Sequence, residues 1–206
     1  MSLVIAIDGP AAAGKGTLAR RLAATLGLRY LDSGLLYRAT GRRVLLAGQD
    51  PADPVAAEAA ALALCEQDLA RPDLRGPAAD RAASAVAKIP AVRAALLHYQ
   101  RQVAAAGAVL DGRDIGTVIA PDAPVKLFVT ADLPARARRR WLERPRGPAL
   151  AEVEAEMAAR DAQDEARAAA PLRPAADAVL LDTTSLDAEQ TFTRALEIIR
   201  DRIGSA

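Results

Sequence analysis

A glycine-rich segment near the start of the chain has the composition and spacing of a phosphate site. Residues 9–17 read GPAAAGKGT, which is the pattern G-x4-G-K followed by a glycine and a threonine. Backbone N–H groups of such a loop, together with the first turn of a following helix, form a concave site for anions. Lys15 adds a positive charge for the outer phosphates. We therefore predict a nucleoside triphosphate site here.

The nucleotide is expected to contact the whole loop, which consists of Gly9, Pro10, Ala11, Ala12, Ala13, Gly14, Lys15, Gly16 and Thr17. Small side chains at residues 11–13 let the backbone close around the phosphates. The usual pattern places Ser or Thr directly after the lysine, whereas Gly16 intervenes here and Thr17 carries the hydroxyl. Direct ligation of Mg²⁺ by this hydroxyl is left open. Asp32 and Asp111 are weaker candidates for ordering the water shell of the metal.

Arginines form four further groups, and their planar guanidinium groups suit bidentate contact with phosphate. Arg113 and Asp114 follow a predicted strand, and ligand-binding residues of open parallel sheets collect at that position. The residues of the groups at 136–140 and at 160–167 each share one helix face by their spacing. A solvated surface with local ion pairs explains this spacing equally well. The groups are Arg38; Arg113 with Asp114; Arg136, Arg139 and Arg140; and Arg160, Asp164 and Arg167.

The loop predicts a user of nucleoside triphosphates but leaves the reaction open. A switch GTPase normally recognises guanine through an Asn-Lys-x-Asp motif, and the sequence contains no asparagine. A kinase must neutralise two sets of phosphates and the charge that passes between them, which the arginine groups can supply. A small-molecule kinase is therefore favoured. The alternatives are a kinase for another acceptor and a non-catalytic nucleotide-dependent binding protein.

Apolar runs and helical patterns alternate along the chain, which is typical of an α/β fold with a parallel sheet. Leu18, Leu22 and Leu26 predict a helix that Gly27 ends. A second helix is expected from Asp32 or Ser33 to about residue 47, helices with a turn over residues 51–107, and a C-terminal helix. The five predicted strands cover residues 3–8, 28–32, 108–111, 125–130 and 178–183.

Length and composition favour one enzyme-sized domain and exclude several other classes. The 206 residues suit a single domain, and the formal net charge of +1 shows no footprint for nucleic acid. Cys65 is the only cysteine, which excludes an internal disulfide and fits a reducing compartment. Apolar runs are too short for a membrane span or a signal peptide. We expect a soluble, cytoplasmic protein, monomeric by default.

Seven motifs along nearly the whole chain together resemble those of bacterial-type cytidylate kinases. The resemblance implies transfer of the γ-phosphoryl group of ATP to CMP or dCMP with Mg²⁺, in pyrimidine nucleotide metabolism. It also implies a P-loop kinase core with a five-stranded parallel sheet flanked by helices, an acceptor-binding segment and a lid. In chain order the motifs are IDGPAAAGKGT, YLDSGLLYR, SAVAKIPAVR, DGRDIGTVIAPDAPVKLFV, RARRR, RDAQDEAR and APLRPAADAVLLDTT.

The same resemblance assigns roles to individual residues. The implied catalytic set is Lys15, Arg113, Arg136, Arg139 and Arg140. The implied CMP-binding set is Ser33, Arg38, Ser84, Arg93, Arg113, Asp114, Arg160, Asp164 and Arg167. Arg160 and Asp164 would meet the sugar. The phosphate would be surrounded by Ser33, Arg38, Arg113 and Arg167. Within this set, Asp114 would accept from the cytosine N4 amino group while Ser84 and Arg93 donate to N3 and O2. Uracil would set its O4 against the carboxylate.

One region departs from the family pattern. Many members carry a longer acceptor-binding insert, which here shrinks to about residues 51–76. We expect a single kinase domain over residues 1–206, with a shortened acceptor-binding segment at about 51–90 and a lid at about 136–160.

Overall fold

The computed structural model describes residues 2–143, 147–166 and 170–204. Within them, strands and helices alternate as the sequence predicts. The strands are β1 (Val4–Asp8), β2 (Arg29–Asp32), β3 (Ala108–Gly112), β4 (Val125–Thr130) and β5 (Val179–Asp182). The helices are α1 (Lys15–Leu26), α2 (Ser33–Leu46), α3 (Pro54–Leu62), α4 (Glu66–Leu69), α5 (Pro77–Val86), α6 (Pro90–Ala105), α7 (Leu133–Leu142), α8 (Leu150–Glu165) and α9 (Ala188–Gly204), with a π-helical segment at Ile115–Ile119.

The five strands form one sheet in the order β2-β3-β1-β4-β5, which confirms the predicted α/β architecture. β1 pairs in parallel with β3 and with β4, and β4 pairs in parallel with β5. The register of the central pair joins Val4 to Ala108. Parallel strands end at the same edge of a sheet, so the segments that follow β1, β3, β4 and β5 emerge on one side.

The chain divides into two compact units. The first comprises residues 1–31 and 104–206, and the second comprises residues 32–103. The first unit contains the sheet, and the second is built from α2 to α5 and most of α6. The expected acceptor-binding segment at about 51–90 falls in the second unit. The expected lid at about 136–160 coincides with α7 and α8 of the first unit, and residues 144–146 of that lid lie outside the described residues.

Aliphatic side chains fill the core of the first unit, as the low aromatic content requires. Leu18 and Leu22 of α1 are buried against Ile7 of β1 and Val129 of β4, and Ile199 of α9 joins the same cluster. Burying a leucine side chain contributes about 1.5–3 kcal/mol. The predicted periodicity of the first helix is therefore confirmed, and the expected C-terminal helix is present as α9. Among the described residues, no helix combines the length and the apolar character that a membrane span needs.

A close helix contact organises the second unit. α2 begins at Ser33 because the carboxylate of Asp32 accepts a hydrogen bond from the N–H of Leu35 at 3.1 Å, so Asp32 is the cap. Further along α2, a Cβ built on Gly41 would lie 2.8 Å from the Cβ of Ala82 in α5. Glycine at this position allows the two helix backbones to approach.

Replacing Gly41 by alanine is expected to destabilise the second unit by about 1–3 kcal/mol. A Gly→Ala change inside a helix ordinarily stabilises by about 1 kcal/mol, so the sign of the result reports the helix contact. Gly204→Ala in α9 is the matched control, because an added Cβ there meets nothing within 4 Å. Urea unfolding followed by circular dichroism measures both, and a Gly41→Ala protein as stable as the control would contradict the close contact.

Candidate active site

The loop between β1 and α1 depends on two glycines with unusual backbone angles. Gly9 has a φ of +144°, and a Cβ on it would lie only 1.9 Å from the carbonyl oxygen of Val129. Gly14 has a φ of +90° and occupies the cap position of α1, where no side chain accepts from the helix N–H groups. Those N–H groups and the positive end of the helix dipole therefore point toward the loop, ready for an anion.

Lys15 lies buried at the start of α1. Its Nζ donates a hydrogen bond to the carbonyl oxygen of Pro10 at 2.8 Å, which holds the ammonium group inside the loop. Burial and, after it, the charge of Arg113 lower the pKa of Lys15 to about 8, although Asp111 and Asp8 oppose the shift. Two cations thus share a site with little water, and this is an arrangement that a bound phosphate would stabilise.

Asp8, the last residue of β1, binds the turn that follows β3. One carboxylate oxygen accepts from the N–H of Ile115 and the other from the N–H of Gly116, both at 2.8 Å. Burial, with a smaller contribution from the charge of Asp114, raises the pKa of Asp8 to about 6, although both N–H groups and Lys15 oppose the shift. The carboxylate therefore lies between the phosphate loop and the turn.

Asp114 is buried at the entrance to the π-helical segment Ile115–Ile119. Its backbone carbonyl accepts from the N–H of Val118 at 2.9 Å and of Ile119 at 3.2 Å, which closes a wide turn. Single π-helical turns are rare and occur frequently at functional sites. The backbone of the predicted base-reading residue is therefore held by its own turn.

Arg113 and Asp164, which both belong to the predicted acceptor set, form an ion pair. Nε of Arg113 donates to a carboxylate oxygen of Asp164 at 2.7 Å, and Asp164 is only 1% exposed. Burial opposes the charge of Arg113, yet the carboxylate of Asp164 keeps the pKa of the guanidinium above its ordinary value. Asp164 thus fixes one edge of the guanidinium group.

The carboxylate of Asp111 lies beside the first turn of α1. A Cβ on Gly16 would be 3.1 Å from one of its oxygens, and its charge supports that of Lys15. The hydroxyl of Thr17 lies on the same turn and is exposed. Oxygen donors of this kind suit Mg²⁺, which keeps several waters and takes few protein ligands. Among the described residues, no cluster of three metal-ligating side chains occurs.

Arg136 of α7 contacts the phosphate loop directly. It is buried, its Nε donates to the carbonyl of Ala131 at 2.8 Å, and one terminal nitrogen donates to the carbonyl of Ala11 at 3.3 Å. The same nitrogen pairs with Asp161 of α8 at 2.7 Å. Of the three predicted arginines of this helix, Arg136 is therefore the one whose described contacts reach the loop.

Arg139 and Arg140 have other partners. Arg139 donates to the hydroxyl of Thr183 at 3.0 Å, to the carbonyl of the same residue, and to the carbonyl of Leu186 at 3.5 Å. The Thr183 hydroxyl also contacts the carbonyl of Ala13 at 3.2 Å, so Arg139 reaches the phosphate loop through Thr183. Arg140 pairs with Glu143 at 3.1 Å on the surface of its own helix.

Small apolar side chains join the α7–α8 pair to the phosphate loop. The cluster consists of Ala11, Ala12, Leu133, Ala137, Val153 and Met157. Ala12 has a φ of +58°, a left-handed conformation that costs a non-glycine residue roughly 1–2 kcal/mol. The surrounding contacts hold this strained residue in place. The loop residues expected only to leave room for phosphates therefore also pack against the predicted lid.

The second unit contains four predicted CMP-binding residues: Ser33 and Arg38 on α2, Ser84 on α5 and Arg93 on α6. Nε of Arg38 donates to Asp80 at 3.2 Å, and a terminal nitrogen lies 3.9 Å from Asp32. The guanidinium of Arg93 lies 5.7 Å from the ring centre of Tyr37. Ser33 is buried and Ser84 is half-buried. Acidic and aromatic neighbours thus orient both arginines.

The remaining predicted residues are Arg160 and Arg167. Arg160 is half-buried on α8, and its charge helps to lower the pKa of Lys15, which places it on the side of the phosphate loop. Arg167 lies outside the described residues.

Sequence reasoning missed four residues that contact predicted site residues or the segments beside them. Asp8, Asp161 and Thr183 belong to the first unit, and Asp80 contacts Arg38 within the second. Asp8 had a usable signal, because it is a carboxylate at the end of a buried strand, directly before the loop. Thr183 also follows a strand at the same edge. Asp80 and Asp161 are helix carboxylates among many, and their partners are far away in sequence.

Comparison with known proteins identifies close relatives. The family model described as cytidylate kinase matches residues 5–201. A protein of Granulibacter bethesdensis named cytidylate kinase is 64% identical, with 97% of this chain and 98% of that relative aligned. Its namesake in Acidiphilium cryptum is 62% identical over 96% of this chain and 95% of that protein. A third, in Paramagnetospirillum magneticum, is 59% identical over 97% and 98%.

Solved structures resemble the chain in fold. An uncharacterized protein from Eubacterium ventriosum superposes with a TM-score of 0.56 at 15% identity, covering 98% of this chain and 99% of that one. The protein TT1252 from Thermus thermophilus gives a TM-score of 0.51 at 22% identity, covering 98% of each chain. At these identities the likeness concerns the fold alone.

Proposed function

The chain belongs to the cytidylate kinase family, and from this premise we propose how its residues carry the reaction. The γ-phosphoryl group of ATP passes to the phosphate of CMP or dCMP, which yields ADP and CDP or dCDP. The acceptor oxygen is already ionised at neutral pH, so the transfer needs no general base. Catalysis then rests on positioning and on compensation of charge.

One observation supports this proposal most strongly. Lys15 and Arg113 lie close enough for the charge of Arg113 to lower the pKa of the lysine, beside the carboxyl ends of β1 and β3. Lys15 belongs to the donor loop, and Arg113 belongs to the predicted acceptor set. A phosphoryl group in transit between the two nucleotides would carry negative charge at this position. The two cations would stabilise that charge more than they stabilise the separated substrates.

The donor triphosphate is proposed to bind residues 9–17. The N–H groups of the loop and of α1 hold its phosphate oxygens, and Lys15 exchanges the carbonyl of Pro10 for the outer phosphates. Arg136 adds a third positive charge from α7, where Asp161 holds its guanidinium against the loop. Arg139 would act through Thr183, and Arg140 would reach the phosphates only by leaving Glu143. Exclusion of water by α7 and α8 limits hydrolysis of ATP.

Mg²⁺ is proposed to accompany ATP at the first turn of α1. Thr17 and Asp111 are the residues that would hold it or its water shell, because the Asp111 carboxylate lies over Gly16. When bound, the ion neutralises charge on the β- and γ-phosphates. Asp32 is the weaker candidate, because its carboxylate already caps α2.

The acceptor phosphate is proposed to bind Ser33, Arg38, Arg113 and Arg167. Arg113 is the best oriented of these, because Asp164 occupies Nε and leaves the terminal nitrogens on the far side of its guanidinium for phosphate. The sugar is proposed to contact Arg160 and Asp164. The base would be read by Ser84, Arg93 and Asp114. We also propose that the protein acts as a cytoplasmic monomer, in which the exposed Cys65 stays reduced.

A coupled assay of ADP release tests the proposed function. MgATP is supplied with CMP, dCMP, UMP or AMP, and a sample without acceptor gives the background hydrolysis. Turnover on CMP and dCMP well above that on UMP and AMP is the expected result. Comparable turnover on UMP would contradict the proposed base contacts while leaving the transfer mechanism intact. Turnover that no acceptor stimulates would overturn the function itself.

The pH dependence of ATP use should report Lys15. The pKa of this residue is lowered to about 8, so its positive charge is present below that pH and lost above it. We expect kcat/KM for ATP to be level below pH 8 and to fall by about tenfold per pH unit above it. At saturating ATP the bound phosphates raise the same pKa, so kcat itself should stay level to a higher pH. A kcat/KM that shows no decline would remove Lys15 from ATP binding.

A further inference from the structure

Asp8 is used in no step of the proposed reaction, although it has an unusual environment. It is only 4% exposed, and its two carboxylate oxygens accept one backbone N–H each, from Ile115 and Gly116. Those two N–H groups begin the π-helical segment, directly after Arg113 and Asp114. The residue that follows Asp8 in the sequence is Gly9, where the phosphate loop begins.

We propose that Asp8 is a positioning residue for the acceptor, holding the turn of residues 112–116 so that Arg113 and Asp114 face CMP. The inference rests on the proposed function, because it concerns how the acceptor side of that site is built. Asp8 itself contacts neither nucleotide in this proposal.

The chemistry of the contact explains why a carboxylate is needed. A buried carboxylate is costly unless hydrogen bonds satisfy it, and two N–H groups aimed at separate oxygens do so. An apolar side chain would leave both buried N–H groups without acceptors, which is costly. An asparagine would accept from one and turn its own NH₂ toward the other. Only an ionised aspartate at this length satisfies both N–H groups and fixes the orientation of the turn.

Charged neighbours surround Asp8 from each element packed against it. Lys15 approaches from α1, and Asp114 approaches from the turn itself. The side chain of Lys126 on β4 also lies near Asp8. A Cβ on Gly116 would be 3.2 Å from the Cδ of Lys126 and 3.3 Å from an Asp8 oxygen. Protonation of Asp8 would therefore make the state of the turn depend on pH.

The effect of losing this contact should fall on the acceptor more than on the donor. β1 is the central strand, paired on both sides with β3 and β4, so its backbone stays in place when the Asp8 side chain changes. β3 ends at Gly112, so strand pairing does not hold residues 113–116 of the turn. Below the pKa of Lys15, whose charge Asp8 supports, Asp8→Asn should therefore raise KM for CMP far more than KM for ATP.

The matched control is Asp187→Asn. Asp187 also accepts two backbone N–H groups, from Glu189 and Gln190 at 2.8 Å, but both bond to a single oxygen at the exposed start of α9, which an asparagine can still supply. We expect Asp8→Asn to raise KM for CMP by roughly 10- to 100-fold, and the control to change it by less than about threefold. Thermal unfolding by circular dichroism is recorded for both. Equal rises in KM for ATP and CMP, or no rise in KM for CMP, would overturn the inference.

A second variant tests the same contact from the turn. Gly116→Ala introduces a Cβ 3.2 Å from the Cδ of Lys126 and 3.3 Å from the Asp8 carboxylate, so these side chains or the turn must shift by a few tenths of an ångström. A smaller rise in KM for CMP, without a change in KM for ATP, is expected because the Asp8 charge is kept. This variant keeps the inference testable if Asp8→Asn does not fold.

The pH profile gives a readout that a purely structural role would not change. CMP and UMP carry the same phosphate, which ionises near pH 6, so the ratio of their kcat/KM values cancels that ionisation. The ratio for the wild type should fall as the pH drops from about 7.5 to 5.5, because Asp8 gains its proton near pH 6. In Asp8→Asn the ratio should be low and constant. A wild-type ratio with no pH dependence would contradict the role of Asp8.

These results separate the inference from the proposed function. Wild-type turnover on CMP tests the function, and the comparison of variants tests Asp8. A wild type without CMP turnover would overturn both. Normal wild-type turnover with an unchanged Asp8→Asn variant would overturn the inference alone.

Discussion

Replacing Lys15 by methionine is expected to lower kcat for CMP phosphorylation by about a thousandfold. The ammonium group is held inside the loop by the Pro10 carbonyl at 2.8 Å. Methionine keeps the length of the side chain but removes the charge that meets the transferring phosphoryl group. Loss of a single preorganised charge of this kind ordinarily costs two to three orders of magnitude.

The stability of Lys15→Met, unlike its kcat, should be unchanged or higher than that of the wild type. The pKa of Lys15 is lowered, chiefly by burial, which means that the folded protein disfavours the charged lysine at neutral pH. Removing the charge therefore relieves an unfavourable burial, and the melting temperature should be unchanged or higher. Lys88→Met is the matched control, because Lys88 is exposed. Near-normal kcat in Lys15→Met would exclude the lysine from the mechanism.

Replacing Asp114 by asparagine is expected to lower the CMP:UMP ratio of kcat/KM by at least about 100-fold. A carboxylate accepts from the N4 amino group of cytosine and repels O4 of uracil. The asparagine amide can rotate, so it can accept from the N4 amino group of cytosine or donate to O4 of uracil. Selectivity is thus lost mainly because UMP gains, while turnover on CMP falls less.

The control for this change is Asp122→Asn, an exposed aspartate in the turn before β4. Like Asp114→Asn, it removes one carboxylate charge from the first unit, but the substituted residue lies outside the π-helical segment. Steady-state kinetics with CMP and UMP at fixed MgATP measure both variants. A ratio that stays the same in Asp114→Asn would show that another residue reads the base, and Arg93 and Ser84 would be the next to change.

The sheet could be predicted because its strands are continuous apolar runs. Buried parallel strands such as β1 and β4 need apolar residues on both faces, and this leaves a signal that is independent of tertiary contacts. The periodic leucines of α1 gave the same kind of signal. The π-helical segment could not be predicted in this way. It depends on the Asp8 carboxylate, more than 100 positions away in sequence.

The candidate site was predictable in its residue types and only partly in its contacts. Helical spacing placed Arg136, Arg139 and Arg140 on one face, but it cannot say what that face meets. In the structure Arg136 contacts Ala11 and Asp161, whereas Arg139 is held by Thr183. A guanidinium group can bond to any acceptor within its long reach, so such choices are decided by tertiary geometry.

The register of the sheet has a consequence for how the chain folds. Val4 pairs with Ala108, so the whole of residues 32–103 intervenes between the two partners of the central strand pair. Closing so long a loop is slow while it is disordered, and it becomes easier once the intervening helices have formed a compact body. During synthesis β1 leaves the ribosome first, yet β3 and β4 emerge only after the helical unit is complete. β1, which leads into the phosphate loop, is therefore synthesised first but can pair only after β3 and β4 have emerged. Pulse-labelling hydrogen exchange should find the amides of α2 and α5 protected before those of β1.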